Sequence, residues 1–197
     1  MNTDMFAQPD DTAALSRLHT RLQDAAAADG LLDIAYRTVD TPVGALLLAT
    51  TELGLVRVAF AVEDHDAVLN TLSTTISPRI LRAPARLDDV ARQLDEYFTH
   101  RRTGFEVPVD LRLAQGFRRS VVEHLRDIGY GDRETYAAVA AAVGSPRAVR
   151  AVGTACARNP LPVVIPCHRV VRSDGSPGQY AGGAAAKLTL LDFESAA

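Results

Sequence analysis

The chain has 197 residues, of which 47% are hydrophobic and 23% charged, and its formal net charge is −3. This composition is typical of a folded globular protein and excludes a wholly disordered chain. Two cysteines are too few for a disulfide framework and lack zinc-site spacing, so we expect no metal and no cofactor. The polar N-terminus and the lack of a long apolar run predict neither a secretion signal nor a membrane span, and we expect a cytoplasmic protein.

The beginning of the chain predicts a helical extension followed by a sheet. Leu15, Leu18 and Leu22 recur at helical spacing within an extension that we place at residues 1–30. From Leu32 the pattern changes to short apolar runs separated by turn residues. Such runs predict a small antiparallel sheet of three strands. The runs are 34–36, 44–48 and 55–60.

Two amphipathic helices complete an N-terminal α/β domain, which we place at residues 31–110. One is expected around residues 68–72, and the other runs from about 87 to 98 with an apolar stripe that includes Tyr97. Residues 103–113 contain a proline and predict an extended connection. The domain boundary is therefore expected at about residue 110.

The remaining residues, 111–197, predict a domain that is helical at first. A first helix covers residues 117–128 and ends at a Gly-Tyr-Gly sequence. Two short helices, 136–143 and 147–158, follow and are joined by a Gly-Ser-Pro turn, which is the form of a helix-turn-helix. An ordinary helical hairpin has the same form and is the simpler interpretation on form alone.

The charges divide unevenly at the predicted boundary. Residues 1–110 carry 10 Lys and Arg against 17 Asp and Glu, a net charge of −7, whereas residues 111–197 carry 11 against 7, a net charge of +4. The net charge of the whole chain disfavours a nucleic-acid partner. The basic C-terminal part favours one. A solvated basic surface is the alternative, and the charges alone do not decide between the two.

The sequence from 159 to 172, NPLPVVIPCHRVVR, carries the residues best suited to chemistry. A cysteine thiolate is a strong nucleophile, and cationic neighbours such as His168 and Arg169 lower the pKa of a thiol. In an extended segment Cys167 and His168 would point to opposite faces, so they need a turn or a bridging water to communicate. The alternative is a buried and inert cysteine, which is our interpretation of Cys156.

The segment IPCHRVV at residues 165–171 resembles the active-site signature of the O6-alkylguanine-DNA alkyltransferases, also called methylated-DNA–protein-cysteine methyltransferases. The resemblance is strong from Phe117 to Glu194 and weaker over Tyr36 to Phe60. It implies an N-terminal α/β domain with a small antiparallel sheet, and a helical C-terminal domain with a winged-helix-like helix-turn-helix and an active-site loop. Further motifs occur in the family's order: Thr135-Tyr136, Gly144-Ser145-Pro146, Arg150-Ala151-Val152-Gly153, Asn159-Pro160, residues 178–183, Lys187, Leu190-Leu191 and Glu194.

The resemblance implies DNA repair by direct transfer of an alkyl group to Cys167, in a single irreversible turnover. The substrate would be O6-alkylguanine, with O4-alkylthymine as a second candidate. The partner would be double-stranded DNA from which the damaged nucleotide is flipped out. We expect a monomer, with cooperative binding along DNA as a further option.

By the same resemblance, four residues are expected to be catalytic. Cys167 is the nucleophile, and His168 takes the thiol proton through a water. Glu194 orients the imidazole. Tyr136 gives a proton to the leaving guanine.

Two further sets of residues are implied for binding. Asn159 braces the active-site turn, Tyr180 packs against the base and Lys187 supports the pocket loop; together with Arg169 they form the expected substrate-binding set. The expected DNA-binding set is Arg150, which fills the gap left by the flipped base, with Arg147 and Ala151.

Three other functions compete with this interpretation. A binding-only relative that grips alkylated DNA without repairing it has another residue in place of the cysteine, so Cys167 argues against it. A thiol hydrolase would use Cys167 and His168 but does not need a basic helix-turn-helix. A transcriptional regulator would need additional metal-binding and regulatory domains.

Overall fold

A computed structural model describes residues 12–195 of the chain. Its N-terminal part combines a sheet with three helices, and its C-terminal part is mainly helical. The N-terminal elements are α1 (Thr12–Ala28), β1 (Ile34–Val39), β2 (Leu46–Thr51), β3 (Gly54–Phe60), α2 (His65–Thr75), β4 (Ile80–Arg82) and α3 (Asp88–Phe98). The C-terminal elements are α4 (Phe117–Leu125), β5 (Glu134–Thr135), α5 (Tyr136–Ala142), α6 (Val149–Ala157), β6 (Val170–Val171) and α7 (Gly183–Ser195).

The N-terminal sheet has four strands in the order β3-β2-β1-β4. The predicted meander is confirmed, because β1, β2 and β3 pair antiparallel, with Ala35 opposite Thr50 and Leu48 opposite Val58. Strand β4 was not predicted. It pairs parallel with β1, so the sheet as a whole is mixed rather than antiparallel. Its three residues are too few to show the alternation by which a strand is recognised.

Helix α1 covers the edge of the sheet at β4. The Nε2 atoms of His19 and Gln23 each lie 2.7 Å from the carbonyl oxygen of Arg82, which belongs to this edge strand. The helix predicted for the extension is therefore present over Thr12–Ala28, while residues 1–11 lie outside the described part of the chain. Its three stripe leucines face solvent and are between 54% and 63% exposed.

The C-terminal part contains the predicted helix-turn-helix, formed by α5 and α6 with α4 packed against both. Beside it, β5 and β6 pair in parallel as a two-residue ribbon. The second helix begins at Val149, because the backbone N–H of Ala148 closes a turn on the carbonyl of Ser145 at 2.8 Å. Arg147, predicted to lie on this helix, therefore lies in the turn before it, and Arg158 is its C-cap.

Helix α7 was not assigned from the sequence, and its buried face shows why. The buried residues are Lys187, Leu190, Leu191 and Glu194, at the spacing of one helix face. Two of these four are ionisable, so the usual apolar stripe is interrupted. Lys187 and Glu194, which interrupt the apolar pattern of this helix, are also the residues that α7 contributes to the site described below.

The two predicted domains share one hydrophobic core. The backbone N–H of Val58, on the outer strand β3, donates to the carbonyl oxygen of Pro160 at 2.8 Å. Through this bond the sheet edge holds the loop that precedes Cys167. The shared core includes Leu46, Leu94 and Tyr97 from the N-terminal domain and Val121, Cys167 and Leu190 from the C-terminal domain.

No helix within residues 12–195 is long and apolar enough to cross a membrane.

Candidate active site

Cys167 and His168 lie in a tight 3₁₀ turn that spans Cys167–Arg169. The extended geometry considered from the sequence is absent, and the turn brings both side chains into the interior, where they are 1% and 0% exposed. Pro166 precedes the turn and restricts its entry. The Cys167 thiol and the His168 imidazole therefore share one buried environment.

Asn159 closes the loop that leads into this turn. Its Nδ2 donates to the carbonyl oxygen of Ile165 at 2.8 Å, and its Oδ1 accepts the backbone N–H of Leu161 at 3.0 Å. The loop contains Val163 at φ 72°, a conformation that is unusual for a β-branched residue and needs such support. The bracing contacts expected of Asn159 are present.

Glu194 reaches His168 from α7. The His168 Nε2 and Glu194 Oε1 atoms are 2.8 Å apart, and both side chains are buried. Arg169 binds the same carboxylate in a bidentate manner, with Nε–Oε2 and Nη2–Oε1 distances of 2.8 Å each, and donates to the carbonyl oxygen of Ile128. Arg169 was expected to bind substrate; in the structure its guanidinium instead binds Glu194 and the Ile128 carbonyl oxygen.

A tyrosine from the N-terminal domain also binds this carboxylate. The phenol oxygen of Tyr97, on α3, lies 2.6 Å from Glu194 Oε1, and the backbone N–H of Gly131 donates to Oε2 at 3.2 Å. Sequence reasoning missed Tyr97 as a site residue, because it occupies an apolar stripe where phenylalanine would pack equally well. One indication was present in the sequence: a tyrosine, rather than a phenylalanine, lies at a position predicted to be buried, and a buried hydroxyl usually has a hydrogen-bond partner.

Burial and hydrogen bonding set the protonation states of Glu194 and His168. Burial alone would raise the pKa of Glu194, but hydrogen bonds from His168, Arg169 and Tyr97 outweigh it and hold the pKa well below its usual range. Burial lowers the pKa of His168 in spite of the adjacent carboxylate. At neutral pH the site therefore holds a carboxylate beside a neutral imidazole.

Burial also raises the pKa of the Cys167 thiol to about 11, although the Asn159 hydrogen bond and the Lys187 charge act in the opposite direction. The sequence-based argument that cationic neighbours lower this pKa is wrong in its net effect, because removal from water costs the thiolate more than those neighbours return. The resting thiol is protonated, so its reactivity depends on a base.

Tyr136 and Lys187 form a second polar pair near Cys167. The Lys187 ammonium, which belongs to the only lysine in the sequence, donates to the Val170 carbonyl oxygen at 2.6 Å and to the Tyr136 oxygen at 3.3 Å. Burial raises the pKa of Tyr136 to about 12 and lowers that of Lys187. Tyr136 is consequently a protonated phenol that is able to donate.

Gly178 makes room for this phenol. It adopts φ +66°, and a Cβ atom there would lie 2.5 Å from the Tyr136 oxygen. Any side chain at this position would meet both backbone strain and a clash.

Tyr180 lies between His168 and the N-terminal domain. Its ring contacts those of His168 and Phe60 edge-on, with centroid distances of 6.3 and 5.5 Å. A Cβ atom at Gly182 would fall 2.7 Å from the Phe60 ring, so the loop after Tyr180 requires glycine to approach β3. Tyr180 thus forms one wall of the site, and the N-terminal domain supports it.

The predicted DNA-binding residues lie elsewhere, on the outer surface. Arg150 and Ala151 are exposed on α6, and Arg147 is exposed in the turn before it. Cys156, on the opposite face of α6, is 2% exposed, as its interpretation as a core residue requires. Within the described ranges, no group of three or more His, Cys, Asp or Glu side chains could hold a metal ion.

These features define a class of protein: a helix-turn-helix domain that carries a cysteine nucleophile next to a buried histidine–glutamate pair. Two family models match the chain. The model described as 6-O-methylguanine DNA methyltransferase, DNA binding domain, matches residues 116–196, and the one described as 6-O-methylguanine DNA methyltransferase, ribonuclease-like domain, matches residues 34–111.

Curated relatives and solved structures agree with these matches. The constitutive methylated-DNA–protein-cysteine methyltransferase of Bacillus subtilis is 38% identical over 81% of this chain and 94% of its own length. The methylated-DNA–protein-cysteine methyltransferase of Mycolicibacterium paratuberculosis is 36% identical over 82% of this chain and 92% of its own. Mycobacterium tuberculosis OGT, solved in complex with DNA, superposes with a TM-score of 0.72 at 34% identity, covering 82% of this chain and 93% of that one. The chain belongs to the methylated-DNA–protein-cysteine methyltransferase family.

Proposed function

We propose that this protein repairs DNA by moving the alkyl group of O6-alkylguanine irreversibly onto Cys167. The observation that carries the proposal is the buried turn in which Cys167 adjoins the His168–Glu194 pair, on a domain that also bears a helix-turn-helix. Relatives with this family's name support the reaction type.

The first step is removal of the thiol proton. His168 Nε2 contacts Glu194, whereas His168 Nδ1 is buried and has no hydrogen-bond partner in the described structure. Nδ1 is therefore the ring nitrogen that is able to accept a proton. One water between the thiol and Nδ1 would transfer it, and the Glu194 carboxylate would stabilise the imidazolium that forms.

The second step is displacement at carbon. The thiolate sulfur forms a bond to the alkyl carbon, the bond from that carbon to guanine O6 breaks, and its electron pair stays on the guanine. Tyr136 donates its phenolic proton to the leaving base, and the Lys187 ammonium 3.3 Å away stabilises the phenolate. The proton that His168 took from the thiol then passes to the Tyr136 phenolate, which returns both residues to their starting protonation states. The thioether on Cys167 does not hydrolyse readily, so each molecule acts once.

The buried nucleophile makes base flipping necessary. Because Cys167 is 1% exposed, a guanine stacked in a duplex cannot reach it, and the damaged nucleotide must leave the stack. The exposed face of α6, with Arg150 and Ala151, is the proposed DNA contact, together with Arg147. Tyr180 would pack against the flipped base. The O4-alkylthymine substrate, the monomeric state and the cytoplasmic location stay predictions.

Mass spectrometry of the Cys167 peptide after reaction with damaged DNA tests the proposal. The full-length protein is incubated with excess duplex DNA that contains O6-methylguanine and is then digested. The peptide containing Cys167 should gain one methyl group per protein, with no further turnover. Cys156, equally buried in the same core, is the internal control and should stay unmodified.

An unmodified Cys167 in protein that binds the duplex would contradict the proposal and favour a binding-only function. Repair that continues beyond one lesion per molecule would favour a hydrolase. Cys167→Ser is the matched variant and should bind the same DNA without repairing it.

A further inference from the structure

Among the described residues, Tyr97 is the one hydrogen-bond partner of Glu194 that the C-terminal domain does not supply. Within residues 12–195 the carboxylate has five polar contacts: His168, Tyr97 and Arg169 at Oε1, and Arg169 and Gly131 at Oε2. Tyr97 and His168 therefore share one oxygen atom. The phenol is fully buried and comes from α3, 97 residues before Glu194.

The direction of this hydrogen bond follows from its partners. An ionised carboxylate accepts hydrogen bonds only, so the phenol of Tyr97 must be the donor. Four aromatic rings pack around the ring of Tyr97, with centroid distances of 5.0 to 6.0 Å. The rings are those of Phe98, Phe105, Tyr130 and Phe193.

A phenylalanine would fill the same volume at this position, so packing does not explain the hydroxyl. Its effect is electrostatic. Each donor on Oε1 withdraws part of the negative charge that would otherwise stabilise a protonated His168. The Tyr97 hydroxyl therefore makes the His168–Glu194 pair less basic than it would be alone, while keeping the carboxylate in line with the imidazole.

We propose that Tyr97 is a positioning residue of the alkyl-transfer site, through which the N-terminal domain sets the pH range in which His168 can activate Cys167. This inference rests on the proposed function, since it assigns the hydroxyl a role in that reaction. It adds a residue on the sheet-bearing domain to a reaction whose other groups lie on the C-terminal one.

Of the groups around His168, Tyr97 is the one whose hydroxyl can be removed without changing a charge, the nucleophile or a pocket wall. The charged and titratable groups that face the imidazole come from its own turn, from α7, from the loop before α7 and, through Glu194, from α3. They are Cys167, Arg169, Lys187, Glu194, Tyr180 and Tyr97. Changing any of the others would alter a charge, the nucleophile or a pocket wall.

The test is the pH dependence of single-turnover methyl transfer by Tyr97→Phe. We expect the acid limb of its pH–rate profile to move to higher pH by about half to one unit. At pH values below both midpoints the rate should then be about three- to tenfold below wild type, and the two proteins should converge at pH values well above both midpoints. A purely structural role would lower the rate by the same factor at every pH.

Tyr130→Phe is the matched control, because it removes a phenol from the same aromatic cluster. Its hydroxyl lies 3.4 Å from His100 Nδ1 rather than on Glu194, so its profile should match wild type. An unshifted profile for Tyr97→Phe, or a loss independent of pH, would overturn the inference.

A second variant should shift the acid limb in the opposite direction, which a folding defect would not do. Difluorotyrosine installed at position 97 is a stronger donor of similar size, so it should move the acid limb to lower pH. A shift in the same direction as Tyr97→Phe, or no shift, would contradict the proposal.

Titration of His168 by ¹⁵N NMR separates this inference from the proposed function, because it needs no DNA. Tyr97→Phe should raise the imidazole pKa and difluorotyrosine should lower it, whether or not Cys167 accepts an alkyl group. If the titration shifts and methyl transfer is absent in wild type, the proposed function fails alone. If transfer occurs and the titration does not shift, the inference fails alone.

Discussion

The N-terminal and C-terminal domains are packed around one core but bury different chemistry. In residues 31–110, the buried polar and charged residues are Gln93 and Asp110, together with the hydroxyl of Tyr97. The C-terminal domain buries Asn159, His168, Arg169, Lys187 and Glu194. Burying an ion costs several kcal/mol unless it is well paired, so the second domain is the less favourable one to fold by itself. The comparison indicates that the N-terminal domain, whose buried side chains are mostly apolar, stabilises the polar site that the C-terminal domain buries.

The largest expected effect comes from removing the centre of the buried network. Glu194→Ala leaves Arg169 without its bidentate partner in the interior, and breaking a buried pair costs about 3–5 kcal/mol. The free energy of unfolding measured in urea should fall by that amount, and methyl transfer should be nearly abolished. Asp95→Ala is the control from the N-terminal domain, because its ion pair with Arg101 is mostly exposed and should contribute little. Equal losses in the two variants would remove the contrast between the domains.

A smaller effect is expected from Gly178→Ala, which tests the space around Tyr136. Both Gly178 and Gly175 have positive φ, so alanine costs each about 1–2 kcal/mol of backbone strain. Only at Gly178 does the new Cβ meet the Tyr136 hydroxyl. Methyl transfer at saturating protein should slow about tenfold or more in Gly178→Ala, in line with the loss of a proton donor. Similar rates for both variants would show that Tyr136 needs no such room.

Arg150→Ala tests the outer surface of the C-terminal domain. Repair of O6-methylguanine in a duplex should fall about tenfold, equivalent to about 1.4 kcal/mol, whereas reaction with the free modified base should be unchanged. Arg17→Ala, which removes an exposed arginine from α1 of the acidic part of the chain, is the control and should repair the duplex at the wild-type rate. Equal losses with duplex and free base would rule out a role of Arg150 in opening the duplex.

The smallest effect is the response to mild acid. Burial lowers the pKa of His168 below its ordinary value of about 6.5. At about pH 6.5 His168 is therefore neutral in more than half of the molecules. Wild-type methyl transfer at pH 6.5 should therefore keep more than half of its rate at pH 7.5 and decline only at lower pH. The unfolded chain takes up this proton at the ordinary pKa, so stability should also be lost as the pH falls below about 6.5. A rate that halves well above pH 6.5 would contradict the burial argument.

The sequence predicted those parts of the fold that follow a simple period. The meander, α2 and α3 show apolar spacing, the helix-turn-helix shows two short helices joined by a Gly-Ser-Pro turn, and the structure confirms them. Strand β4 is too short for a period, and α7 has Lys187 and Glu194 on its buried face. Local pattern cannot reveal a helix whose buried face is partly charged, because its partners are distant in sequence.

The candidate site was predictable as a set of residues and less so as an arrangement. The resemblance brought together Cys167, His168 and Glu194, which the structure places in contact or on one turn. Arg169 was placed in the substrate-binding set by the resemblance, and its contact with Glu194 could not be predicted because that residue is 25 positions away in the sequence. Tyr97 required knowledge of which helix packs against α7, and that information lies in the long-range packing of the chain.

The bond from Val58 on the sheet edge to the Pro160 carbonyl, together with the shared core, bears on cooperativity. Two family models divide the chain near residue 111, as if it were built of separable modules. Cys167 belongs to the core that the two domains share. Unfolding one domain alone would therefore expose both the sheet edge and Cys167 to water, so a partly unfolded state of this kind has a high free energy. The molecule should therefore lose its secondary structure and its competence for repair in a single transition.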